Sequence, residues 1–397
     1  MSEELRNWSI VVASMLAISV AILFAAVLAN AQVIAVESPA YRSDVRGDTE
    51  IRIQASGFKS PLVAKSWLPG DTYGSDGIVA TIFLDKNQDG SFIFPANRYP
   101  HGPVVIRIYG TRIIDRHVDT CYLQLYNTGG ISWNEGIPHS APPAARGMAL
   151  VFQDDFNAPL SISSTGAGSR YAAHKPGGGD FSQIPFSDPT NHGPFFQRDT
   201  YLIIRADTNS KTTGLLSSIS TTDGTGVTVK APYYLECRFI APSAPGTWPA
   251  WWVVTDEYMN GGWNGTTADE IDVIEAYGGE GLRNPNAPLI YEATPHTWGY
   301  HANGTPSGNN HVYMHKYGGG AGWAYIPHTY GLLVTRQDFV FYLDNVEVRR
   351  TPATPVAENH PMYFMVDLAI GGNGWPVDLA RYGNVVDMYV DFIRAYH

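Results

Sequence analysis

Cysteine is nearly missing from this chain, which holds only Cys121 and Cys237 among its 397 residues. Two thiols exclude a disulfide scaffold. Because they fall in different expected domains both are read as unpaired, with a bridge between them left open. Charge is scarce as well. Lys, Arg, Asp and Glu make up 16% of the residues, and 26 basic against 37 acidic side chains leave a net charge of -11. That balance excludes a nucleic-acid partner and suits a soluble protein, but it says little about a neutral ligand. No internal repeat is present. What the chain has in abundance is glycine (40), proline (27) and aromatics (12%). That composition points to an all-β, loop-rich protein, with length enough for two domains.

Long apolar runs are confined to the start. Residues 10–28 are almost continuously apolar, and Ala29-Asn30-Ala31 has the small-x-small form of a signal-peptidase site. Glu3 and Glu4 beside Arg6 make a poor basic leader, and the run is long enough to span a bilayer as an uncleaved anchor. Residues 1–31 are therefore expected to be a signal peptide or an N-terminal hydrophobic helix. The remainder is expected to be secreted, periplasmic or at the cell surface, touching a membrane only through that segment.

Residues 32–127 read as a small β-sandwich. Residues 49–54 alternate with Ile51 and Ile53 on one face, and 103–108 with Val104, Ile106 and Ile108. The loop Asp85-Lys86-Asn87-Gln88-Asp89-Gly90 mimics half a calcium loop, but Ala96 stands at the twelfth position, so a hairpin turn is expected there. In size and strand spacing this domain resembles immunoglobulin-like accessory modules; a glycan-binding module and a structural spacer both remain open. Residues 128–147 have a linker's composition, and 148–397 form the second domain. Its polar stretch 161–198 is expected to overlie a cleft. Residues 339–343 and 346–350, joined by Asp344-Asn345, form the clearest hairpin.

The stretch Asp269-Glu270-Ile271-Asp272-Val273-Ile274-Glu275-Ala276-Tyr277 sets acids into what would otherwise be a buried strand. Strict alternation puts Glu270 and Asp272 on one face and Glu275 on the other. One β-bulge at Val273 and Ile274 resolves this. Both residues then face the interior with Ile271 and Ala276, while Glu275 and Tyr277 rejoin the carboxylate face. Three acids on one face repel, so at least one should hold its proton near neutral pH. Retaining glycosidases need that pairing, an ionised nucleophile with a protonated acid about 5–5.5 Å away. A solvated edge strand or a calcium site would use the same three acids.

Glu-x-Asp-x-x-Glu on a strand resembles the signature of glycoside hydrolase family 16, in the bulged form of laminarinase-, agarase- and carrageenase-like members. Residues 234–242, the segment Gly246-Thr247-Trp248-Pro249-Ala250-Trp251-Trp252, and residues 328–331, 341–344, 368–372 and 390–396 resemble family segments in the family's order. The match covers roughly residues 148–397.

The resemblance implies a concanavalin-like β-jelly-roll sandwich and a retaining endo-glycosidase acting on a polysaccharide. It makes Glu270 the nucleophile, Glu275 the acid/base and Asp272 the residue between them, and it sets His296 in the cleft. Catalysis would need no cofactor. Asp391 matches a structural calcium ligand, with a surface acid at a strand end as the alternative. Trp263 and Trp375, in turn-rich sequence, and Trp298, close to His296, are the expected sugar-stacking residues. Of Trp251 and Trp252, one must face the core. The chain departs from the pattern at residues 266–269 and at Asp367, where an asparagine is common, which leaves the glycan open among β-1,3 or mixed-linkage glucan, a galactan and a bacterial exopolysaccharide. A monomer is expected. Transglycosylation, and lectin-like binding or an envelope scaffold on the same fold, are the alternatives.

Overall fold

The computed structural model describes residues 33–71, 75–130, 140–190, 193–256, 268–278, 290–297, 310–317, 324–372 and 375–397. Residues 1–31, Trp263 and Trp298 lie outside the described residues. Strands dominate, and the only α-helix among the described residues is Pro355–Asn359. No helix among them is long and apolar enough to cross a membrane.

The N-terminal part folds as two small sheets around a core of its own. Strands Ile34–Ser38, Asp48–Ala55 and Asp89–Pro95 form one sheet. Asp44–Val45, Val118–Asn127, Gly102–Thr111, Leu62–Lys65 and Ile78–Ile82, in that order, form the other. The alternating residues Ile51, Ile53, Val104, Ile106 and Ile108 all enter the shared core. The Asp85–Gly90 loop needs a correction. Asp85 does cap a tight turn, its Oδ1 accepting from the Asn87 and Asp89 amides at 2.8 and 2.9 Å. The strands on either side lie in different sheets, so the loop is a corner between layers and not a hairpin. Turn chemistry fixes the local reversal but not which sheet the chain enters next.

The second part is a sandwich of two large sheets. The first runs Ile162–Ser163, Tyr171–Ala172, Leu215–Ser217, Met362–Ile370, Thr247–Thr255, Asp269–Glu275, Ile290–Thr297 and His311–Tyr313. In the second, Val385–Tyr396 and Tyr233–Phe239 lie at the centre, with Phe195–Arg198 and Val346–Pro352 at the edges. Trp251, Ile271, Ile274 and Phe364 from the first sheet share the core with Leu235, Phe341, Val390 and Ile393 from the second. The strands Asp338–Leu343 and Val346–Pro352 close the expected hairpin. Asp344 at φ 48° and Asn345 at φ 66° supply the left-handed pair that a two-residue turn demands.

The small sandwich sits on the outer face of the second sheet. Gln124 donates to the Asp387 carbonyl at 2.8 Å and accepts from the Asp387 amide at 2.9 Å, mimicking one more rung of the sheet. Tyr122 stacks on Tyr382 at 4.9 Å and on Tyr325 at 5.6 Å, and Trp67 stacks on Tyr325 at 4.9 Å. Tyr126 packs with Tyr201, Ile203, Ile240 and Tyr389 across the same boundary. Cys121 and Cys237 are both buried free thiols.

Candidate active site

The acidic strand Asp269–Glu275 carries a bulge on both of its edges. Against Thr247–Thr255 the register passes from Trp251↔Ile274 to Trp252↔Asp272, leaving Val273 as the extra residue. Against Ile290–Thr297 it jumps between Asp272 and Glu275. The cause lies in the side chains: Ile271, Val273, Ile274 and Ala276 all enter the main core, which strict alternation forbids. Glu270, Asp272, Glu275 and Tyr277 consequently share the outer face. The neighbouring strand sorts its tryptophans likewise, Trp251 into the core and Trp252 into an apolar cluster on the outer face.

Asp272 is 4% exposed and Glu275 8%, while Glu270 is partly exposed. The Nε2 atom of His296 lies 3.0 Å from Oδ2 of Asp272, and Glu270, Asp272 and His296 bring ligand-type atoms within 4.8 Å of one another. Glu275 has different company. Trp248 Nε1 and the Tyr277 hydroxyl both donate to its Oε1, at 3.1 and 2.9 Å. Next to them, Trp252 Nε1 donates to Asp367 Oδ2 at 2.8 Å and the Ala369 amide to Asp367 Oδ1 at 3.1 Å.

This crowding governs protonation. Burial first and Asp272 second drive the Glu275 carboxyl well above the usual carboxylate range, with Tyr277 and His296 pulling the other way. Burial and Asp272 also push Glu270 up to about 8, against the pull of His296 and Lys175. Burial disfavours the charged imidazole of His296, yet its bond to and charge pairing with Asp272, backed by Glu270 and Glu275, lift it to about 9. Asp367, wholly buried, is pushed up to about 8 by burial and by Asp272, despite its two donors.

A pH dependence of stability follows. The folded chain keeps protons on Glu270 and Asp367 that the unfolded chain releases near the ordinary carboxylate range, so stability declines as pH rises from about 4.5 to about 8. The contribution of His296 is whole below its unfolded value near 6.5 and is gone above about 9. Asp367→Asn, which retains an acceptor for Trp252, is expected to stabilise the protein by about 1–3 kcal/mol at pH 8 and to be near neutral at pH 5. Calorimetric melting at the two pH values checks this, and equal destabilisation at both would refute it.

The other expected residues fall out as follows. His296 joins the carboxylates. Trp375 is largely buried, 9% exposed, its ring edge-on to Tyr277 at 4.5 Å and 5.1 Å from Trp248. Asp391 is neither a surface acid nor an evident calcium ligand. It is 1% exposed, falls at a register shift of its strand and lies 2.9 Å from Arg238 Nη1. A guanidinium already compensates that carboxylate, so the residues present do not fit a divalent cation there. Sequence reasoning did not single out Trp248, Lys175 or the Trp252–Asp367 pair. Part of the 161–198 stretch does lie over this face, where Phe181 meets Trp248 and Trp252 edge-on at 5.4 and 5.8 Å.

Known proteins supply the remaining comparison. Residues 199–389 match the family described as glycosyl hydrolases family 16. Endo-1,3-1,4-beta-glycanase EglC of Rhizobium meliloti (strain 1021) is 32% identical over 198 residues, covering 49% of this chain and 35% of that protein. Endo-1,3-1,4-beta-glycanase ExsH of the same organism is 32% identical over 164 residues, 41% of this chain and 30% of the relative. The chain thus spans about a third of the length of these two relatives. Among solved structures, a laminarinase from Flavobacterium sp. UMI-01 is 22% identical with a TM-score of 0.48, covering 63% of this chain and all of that one. The bulged acidic strand lies inside the span that matches glycosyl hydrolases family 16.

Proposed function

We propose that this protein is a retaining endo-glycosidase that cleaves internal β-linkages of a glucan by double displacement. One observation carries the reading: the bulge at Val273 brings Glu270, Asp272 and Glu275 to one face, with Glu275 buried beneath two neutral donors. Burial and the Asp272 charge keep the proton on that carboxyl despite the two donors, and it serves as the acid. Glu270, flanked by the positive charges of His296 and Lys175, is the group better able to ionise and attack.

In the first half-reaction the Glu270 carboxylate forms a bond to the anomeric carbon while Glu275 gives its proton to the departing oxygen. In the second, Glu275 removes a proton from water, and the oxygen of that water displaces Glu270. Asp272 sits between the two, its charge balanced by the His296 imidazolium, which limits how many negative charges the acids must share. The two relatives named as endo-1,3-1,4-beta-glycanases support a glucan with 1,3- and 1,4-linkages.

The test is incubation with mixed-linkage glucan, laminarin, cellulose and acidic bacterial exopolysaccharides, with products sized and their first-formed anomer read by proton NMR. Short oligosaccharides of retained configuration are expected. An inverted first product would overturn the double displacement, products longer than the substrate would indicate transglycosylation, and binding without cleavage across the panel would identify a lectin.

A further inference from the structure

We propose that Tyr277 is a positioning residue for proton transfer. With Trp248 it fixes Oε1 of Glu275, so that the mobile proton is carried on Oε2, and Gln183 secures this arrangement from behind Trp375. The role given to Glu275 rests on the function proposed above; the positioning stands on geometry.

Only one oxygen of a carboxylic acid carries the proton. Oε1 already accepts from Trp248 Nε1 at 3.1 Å and from the Tyr277 hydroxyl at 2.9 Å; a proton placed there would face an indole that can only donate and would turn the phenol from donor to acceptor, giving up a bond that the carboxyl otherwise keeps. Oε2 is left to carry it. When the Oε2–H bond breaks and the proton passes to the glycosidic oxygen, the electron pair stays on a carboxylate whose stabilising donors are already in place. The return proton from water restores the same bond. Burial, then the Glu275 charge, hold the Tyr277 phenol far above its ordinary range, so it remains a donor throughout.

Tyr277 is itself held from outside. Its ring meets Trp375 edge-on at 4.5 Å and lies 5.5 Å from Trp248. The Gln183 side-chain amide donates to the Trp375 carbonyl at 2.9 Å, and its backbone amide to Ile370 at 2.8 Å. Ser182 exchanges two further 2.8 Å bonds with Ile370. Gly371 adopts φ +64°, and a Cβ there would come within 2.6 Å of the Gln183 amide, so glycine is what lets the latch close.

Tyr277→Phe keeps the ring and removes only the hydroxyl. We expect kcat on polysaccharide to fall about 10-fold with KM unchanged, and the alkaline limb of the pH profile to move to higher pH, because the lost bond had favoured the ionised acid. An aryl glycoside with a good leaving group, which needs little proton assistance, should lose far less. A readout independent of turnover is the carboxyl titration of Glu275, followed by carbon-13 NMR and identified by its loss in Glu275→Gln. Its midpoint should rise in Tyr277→Phe and in Trp248→Phe, the second variant covering a folding failure of the first. An unmoved midpoint overturns the positioning role even if the enzyme cleaves. A raised midpoint in a protein that cleaves nothing upholds positioning and overturns the proposed function instead. Gln183→Ala, remote from Glu275, should lower kcat about threefold, and an unchanged kcat would remove the latch from the proposal.

Discussion

Glu270→Gln is expected to remove cleavage almost entirely, on the order of 10⁴-fold or more in kcat, while leaving polysaccharide binding intact. Glutamine matches glutamate in shape and can still hydrogen-bond, so the cleft should keep its sugar contacts; what disappears is the negative oxygen that attacks carbon. Glu275→Gln should be as damaging on polysaccharide but spare the first step on an activated aryl glycoside, whose leaving group needs no proton, so that a burst of released phenol precedes slow turnover. The contrast between the two variants assigns the roles more firmly than either loss. Reducing-end release together with affinity electrophoresis measures both effects. Full activity in Glu270→Gln would end the assignment of that residue as nucleophile.

Insertion of one alanine between Val273 and Ile274 should be equally severe for a different reason. The bulge takes up a single extra residue, so with a second one the strand beyond it is flipped, and Glu275 is turned from the outer face into the core now filled by Ile274 and Ala276. Burying that carboxyl without Trp248 and Tyr277 costs several kcal/mol even when it is protonated. The variant is expected to lose all measurable cleavage and to melt well below the wild type, or to fail to fold. Substitution of Val273 by isoleucine preserves the residue count and should retain activity, which separates the role of the bulge from that of the side chain. Retained cleavage in the insertion variant would show that Glu275 does not depend on the register set by the bulge to reach the substrate.

The bulge was legible in the sequence because two adjacent apolar residues, Val273 and Ile274, interrupt a run of alternating acids, and no regular strand can bury both without losing Glu275. The split between Trp251 and Trp252 was legible for the same reason of period. Partners from distant strands were not. Trp248 is one of ten tryptophans, and nothing in its neighbours says that its indole reaches Glu275. Asp367 was visible only as a departure from a pattern, whereas its burial against Trp252 is a product of three strands meeting. Asp391 read as a surface acid or metal ligand because its partner, Arg238, lies more than a hundred positions away along the chain. The turn at Asp85–Gly90 was identified from its residues, but the layer its next strand would join was not.

The seat of the smaller sandwich bears on how a long polymer gains entry. Because Gln124 and Tyr122 fasten it to the rear of the larger sandwich, it adds bulk on the side away from the carboxylates and cannot swing across them. Among the described residues, those packed over the acids' face, Phe181 included, belong to the larger sandwich, so preference for one backbone over another should travel with those segments if they are exchanged between relatives and should be indifferent to replacement of the rear module's exposed strands. Trimming that module away would instead uncover Tyr201, Ile203, Ile240 and Tyr389, and the first symptom of its loss should be self-association rather than altered bond preference.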